Sequence, residues 1–253
     1  MTVVKTQALV LKKIPFGESS NIVRLYTEKM GKISVIAKGA RRVKSPFRGY
    51  LDSLNIVEVI FYYKPTREIQ TLSKIEFINA LFRTWEDSSD ITFAIAILEC
   101  IEKFIHGHDS DDKIFRLIVD TLGFMDSNHE VMLEAFVYFL YHFSSVSGYH
   151  LSTNQCPLCK NPMKSALYDS ANGRLVCNNC YSENGSNSVP ADLLDYLKQI
   201  EELDSIKNLT IIKSRKIGLD LVNFLISHIS FHLDIPVKLN SLKLMANIGQ
   251  EQI

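Results

Sequence analysis

A chain of 253 residues, 46% of them apolar, is long enough for two compact domains with cores of their own. Its 28 Lys and Arg balance 28 Asp and Glu, yet residues 1–80 carry 14 cations against 6 acids and the remainder 14 against 22, so a basic first third suited to a polyanion precedes an acidic rest. Apolar runs such as Phe93–Leu98 fall far short of the about 20 residues a bilayer span requires, and Met1–Lys5 leads into only Ala8–Leu11, which is no secretory signal.

From Lys5 to Phe77 the apolar period is two. Runs over Lys5–Lys13, Asn21–Thr27, Lys32–Ala37, Leu54–Tyr63 and Glu68–Phe77 predict five short strands, with Gly31 and Pro65 marking turns. In the third run Ile33, Val35 and Ala37 share one face and Lys32, Ser34 and Ile36 the other, the alternation of a half-buried antiparallel strand. Five strands in about 75 residues, with the longest connection after the third, fit a small, partly open barrel of the OB type. An SH3-like barrel is the alternative.

That longest connection is the most informative stretch of the chain. Lys38, Arg41, Arg42, Lys44 and Arg48 stand in it with Phe47 and Tyr50, and residues 38–51 contain no acid. Such cations neutralise phosphates while aromatic faces accept bases, the pairing that single-strand binding requires. A solvated hairpin loop is the competing reading, because basic loops are often only that.

Beyond Leu81 the period becomes helical. Asp90 is placed to cap a helix to about Ile105, and Asp111 or Asp112 one to about Met125. Further helices are predicted over Val131–Val146, from Pro190 through Ile200, near Lys216–Leu233 and over Val237–Asn247, while His106–Asp109 and Ser182–Ser188 read as polar loops. The helix over Glu134–Val146 carries more apolar positions than one stripe needs, among them Phe136, Tyr138, Phe139, Tyr141 and Phe143, so part of it is expected to stay open as a groove for a partner or to close as core. The chain thus divides into a barrel over 1–80 and a helical domain over 81–253 with one interruption at about 150–188.

The interruption holds two C-x2-C pairs, Cys156/Cys159 and Cys177/Cys180, separated by 17 residues. Each pair brings two thiolates to one ion, and the intervening length lets a ribbon fold back so that all four converge on a structural zinc. Four thiolates leave no open position for catalytic water. A redox dithiol would need only one pair in a thioredoxin-like surround, which is absent. Cys100 lies among Ile97, Leu98 and Ile101 and reads as packing. His228 and His232 stand at i and i+4; partly exposed helix histidines are expected there, a second metal site being the alternative. Paired cysteines used as metal ligands belong in a reducing cytoplasm. No phosphate-binding glycine loop or nucleophile elbow is present, so no enzyme is expected.

The whole chain resembles the RecO family of bacterial recombination mediators. The residues that carry the likeness are Phe16-Gly17-Glu18-Ser19-Ser20, Ile22-Val23-Arg24-Leu25-Tyr26-Thr27 and above all Lys38-Gly39-Ala40-Arg41-Arg42-Val43-Lys44-Ser45, with Gly148-Tyr149 before the first cysteine pair and Leu239-Asn240-Ser241-Leu242 near the end. The resemblance implies an N-terminal OB fold, a helical domain carrying a zinc module, and binding of single- and double-stranded DNA. It implies strand annealing and recombinase loading with RecR and the tail of single-strand-binding protein, at the bacterial nucleoid. Lys38, Arg41, Arg42, Lys44, Arg48 and Arg24 would then hold phosphates, with Phe47, Tyr50 or Tyr26 stacking on bases. After the basic loop this chain has Asp52-Ser53-Leu54 where the family usually has a proline-containing turn, and some relatives lack the cysteines, which makes the zinc architectural. Outside that family, an enzyme whose ribbon positions a nucleic acid, or an RNA-binding translation or transcription factor, shares the same parts.

Overall fold

The computed structural model of the protein describes residues 1–82, 91–107, 110–180, 186–209, 211–212, 214–235 and 238–242. Five strands, β1 (Thr2–Phe16), β2 (Ser20–Thr27), β3 (Gly31–Ala37), β4 (Asn55–Tyr63) and β5 (Ile69–Ala80), close into a barrel in the order β1-β2-β3-β5-β4. The alternation that predicted each strand also chooses its inner face. Val10, Val23, Leu25, Val35, Val57, Val59 and Phe61 meet at the centre, fully out of solvent. Closure comes from a short parallel seam, Ser34↔Ile69 to Ile36↔Thr71, so the barrel is closed where a partly open one is expected, and its order fits the OB type. β1 overruns its predicted end by three residues, past a bulge between Val10 and Lys12.

Two compact units divide the chain: Met1–Asp126 with the segment from Leu239 on, and Ser127–Lys238. In the first, α1 (Ile91–Phe104) and α2 (Asp112–Ser127) follow the barrel. The carboxylate of Asp111 caps α2, accepting from the N–H groups of Lys113 and Ile114 at 2.7 and 3.3 Å. Asp90 and His108-Asp109 lie outside the described residues. Phe115 of α2 packs on Tyr26 with ring centres 6.1 Å apart, and Glu99 of α1 accepts from the Ser241 N–H and hydroxyl at 3.0 and 2.7 Å. The helix expected over Val237–Asn247 is seen as one turn at 240–242; residues 243–253 lie outside the described residues.

The second unit is built around α3 (Met132–Val146), with α4 (Ala191–Glu201) and α5 (Arg215–Leu233). A helix apolar on all sides must be buried on all sides, and Phe136, Tyr138, Phe139, Tyr141 and Phe143 are all core. Of the two outcomes expected for α3, groove or core, these side chains take the core. Gly218 lets α5 approach closely, since a Cβ there would meet Leu133 of α3 at 2.5 Å. Between α3 and α4 lies a small sheet in the order β7-β6-β8, from β6 (Leu167–Asp169), β7 (Arg174–Val176) and β8 (Ser186–Ser188). The last of these occupies the end of a segment expected to be loop.

Candidate nucleic-acid interface and metal centre

The connection between β3 and β4 is a chain of turns. Gly39 at φ +71° starts it, and Arg42 N–H to Gly39 O, Ser45 N–H to Arg42 O and Tyr50 N–H to Phe47 O continue it at 3.1, 3.1 and 3.3 Å. Its tip is tied to the β1–β2 turn by Arg41, whose N–H donates to Ser19 O at 2.9 Å and whose guanidinium donates to Gly17 O at 3.2 Å. The backbone is thus fixed while Lys38, Arg41, Arg42, Lys44 and Arg48 stay exposed. None of Lys38, Arg42, Lys44 and Arg48 has an ion-pair partner among the described residues. A cleft of about 420 Å³, lined by Arg41, Arg48, Lys13, Pro15 and Asn21 among others, opens beneath them.

The aromatics sit differently from the cations. Phe47 is 8% exposed and plugs the end of the barrel with Leu51. Tyr50 is half-buried and stacked on Phe77 at 4.2 Å. Tyr26 is fully buried; burial first, then the charge of Asp111, push its phenol up to about 12. Apolar residues that do face solvent at this end include Val43 of the loop and, on β1, Ile14 and Phe16, 46% and 50% exposed. Sequence reading missed Ile14 and Phe16 because the predicted strand stopped at Lys13; continued alternation of Lys12, Ile14 and Phe16 is the signal that finds them. Arg24 lies further along β2, its guanidinium donating to Glu102 of α1 at 2.6 Å.

In the second unit the Sγ atoms of Cys156, Cys159, Cys177 and Cys180 lie within 4.8 Å of one another, with Cys159 and Cys177 3.6 Å apart. Sulfurs bonded at about 2.3 Å to one tetrahedral ion would be about 3.8 Å apart, so the donor set fits a metal ion. The first knuckle turns through Lys160 at φ +61°, with Lys160 N–H to Cys156 O and Cys156 N–H to Asn161 O both 2.9 Å. Burial raises the Cys156 thiol, but the N–H groups of Cys159, Cys177 and Leu158 outweigh it and bring it down to about 6, the ligating form. A hydrogen bond with the Cys159 thiol, then burial, push Cys180 up to about 12.

His228 and His232 tie α5 to the ribbon; His232 is partly exposed as expected, whereas His228 is buried. His228 is 1% exposed, its ring nitrogens 2.9 Å from Tyr149 O and 3.3 Å from the Tyr168 hydroxyl. His232 Nε2 lies 2.9 Å from Gly173 O. A Cβ on Gly173 would meet Phe231 at 2.4 Å, so only glycine lets this turn seat against α5.

Two family models match the chain: Recombination protein O N terminal over residues 1–81 and Recombination protein O C terminal over residues 86–241. Among curated relatives, a protein of Salinibacter ruber called DNA repair protein RecO is 39% identical over 121 residues, 48% of this chain and 46% of its own length. Here the chain spans about half of the relative it matches. Proteins of the same name from Alkaliphilus metalliredigens and Clostridium acetobutylicum are 26% and 29% identical, covering 97% and 82% of this chain and 99% and 88% of their own lengths.

Proposed function

Since the chain belongs to the RecO family of DNA repair and recombination proteins, we propose that it acts as a non-enzymatic mediator that binds single- and double-stranded DNA, anneals complementary strands and helps load recombinase. The observation that carries this reading is the β3–β4 loop, a fixed backbone from which Arg41, Arg42, Lys44, Arg48 and Lys38 project into solvent. Held at the closed end of a barrel, they form a surface of one sign that suits the phosphate backbone without reading sequence. Two strands screened on one such surface lose much of their mutual repulsion, and annealing proceeds without bond-breaking chemistry. Phe47 is left out of the proposed interface because its ring fills the core, and Phe16, an exposed aromatic of the adjoining β1, takes its place.

The four cysteines are read as holding one structural zinc, an architectural part of the second unit. RecR and the tail of single-strand-binding protein are the proposed protein partners. For an acidic, aromatic-ended tail, α3 offers no surface; Arg215, Lys216 and the exposed Leu219 share one side of α5 by their spacing.

The test is single-strand binding as a function of salt. Arg41→Glu with Arg42→Glu is expected to weaken binding and to flatten the log-log salt slope by about 0.7 for each phosphate no longer neutralised. Full affinity with an unchanged slope would move the binding surface elsewhere. Competition between DNA and RNA strands of one sequence separates this reading from an RNA-binding factor.

A further inference from the structure

The outward side of β1, β2 and β3 is open at the loop end and closed at the other. Register places Phe16 beside Ser20, Ile14 beside Ile22 and Lys12 beside Arg24, with Ile36 and Ser34 of β3 continuing the last two rows. Ile14 and Phe16 are exposed and Ile22 and Ile36 half-buried, so an apolar strip crosses the sheet at the foot of the cationic loop. Beyond Lys12 and Arg24 the face disappears under Phe115, which covers Tyr26.

At that boundary stands Glu102 of α1. Its Oε2 is 2.6 Å from Arg24 and 3.7 Å from Lys12, and its backbone carbonyl accepts from Lys32 at 2.8 Å. Three cations thus surround one acidic residue, whose other carboxylate oxygen is buried without a hydrogen-bond partner among the described residues. Beside it a cleft of about 190 Å³ opens between Arg24, Lys32, Ser34 and Glu68.

We propose that Lys12, Arg24 and Lys32 form a second phosphate site, held by the Glu102 carboxylate until a single strand of nucleic acid displaces it, with the bases of that strand lying along Phe16, Ile14, Ile22 and Ile36. The inference rests on the reading that the β3–β4 loop binds DNA, and it runs the strand from that loop down the open face. A carboxylate and a phosphate ask for the same donors, and a guanidinium serves either. Three cations outnumber the two acids, Glu102 and Glu68, so the cluster keeps attraction for a further anion. An apolar strip with cations at both ends is complementary to a chain whose bases are flat and apolar and whose linkages are anionic.

The experiment measures binding of the full chain to oligo-dT of increasing length and to duplex DNA across salt concentrations. Glu102→Gln keeps the shape of the residue and removes its charge. It is expected to tighten single-strand binding severalfold at low salt and to steepen the salt slope by about 0.7 for each phosphate gained. In an Arg24→Gln background that gain should vanish, whereas a mere change in net charge would persist there. Unchanged affinity and slope in Glu102→Gln, a gain that survives Arg24→Gln, or an equal gain for duplex would each overturn the proposal. Arg41→Glu with Arg42→Glu keeps the two readings apart: if that pair weakens binding and Glu102→Gln does nothing, the second site fails and the loop stands.

Discussion

His228 joins α5 to the ribbon, and burial lowers its pKa to about 4. An unfolded histidine titrates near 6.5, so between about 6.5 and about 4 the unfolded chain takes up a proton that the folded one refuses. Stability is therefore complete above that window and is lost as pH falls through it, by about 3 kcal/mol in full. We expect the melting temperature to drop over this range and His228→Gln, which does not titrate, to remove part of the drop. His142 is also lowered by burial, so the difference between the two profiles is the measurement; identical profiles would mean that His228 does not couple to folding. Phe47 shows where residue-level reading runs short. In an acid-free loop of cations its ring looks like a base-stacking face, but Phe47, Tyr50, Leu51 and Leu54 have i, i+3, i+4, i+7 spacing, and Phe47, Leu51 and Leu54 are buried. Periodicity inside a turn-rich connection marks a plug, and composition hides it.

At the scale of elements, strands of three residues cannot hold themselves together, and β6, β7 and β8 are each that short. Their order comes from the cysteine cluster at one end and from side chains of α3, α4 and α5 at the other: the Tyr141 hydroxyl donates to Leu151 O at 2.9 Å and Lys198 Nζ to Met163 O at 2.8 Å. Metal held by such a ribbon contributes its binding energy to folding, about 10 kcal/mol in isolated zinc modules. Cys177→Ala is expected to lower the melting temperature by several degrees, and elemental analysis of protein purified without chelator to give one zinc per chain. Protein without zinc would refute the metal. The cysteine spacing was legible because ligand geometry is local. The closure of α3 was not, because an aromatic-rich helix has the same pattern whether its second flank meets solvent or another helix, and only α4, α5 and the ribbon decide that.

Across the whole molecule, the change of period near Leu81 marks where strands give way to helices, whereas the compact units part at Asp126 and Ser127. Periodicity reports the kind of element and is silent on which core a helix joins. α1 and α2 belong with the barrel through Phe115 on Tyr26 and Glu102 on Arg24. A fragment of residues 1–126 is thus expected to melt higher than one of residues 1–81, which would bare Leu9 and Tyr26 to water; equal melting temperatures would show that the helices add nothing to the barrel. The seam of β3 on β5 has a consequence of a different kind. An open sheet ends in rows of unsatisfied amides and carbonyls that invite another chain to add a strand. By pairing its last two edges with each other over Ser34–Ile36 and Ile69–Thr71, this barrel shortens the row that it offers, so two copies crowded on one stretch of polyanion find less of a template there along which to zip into a fibre.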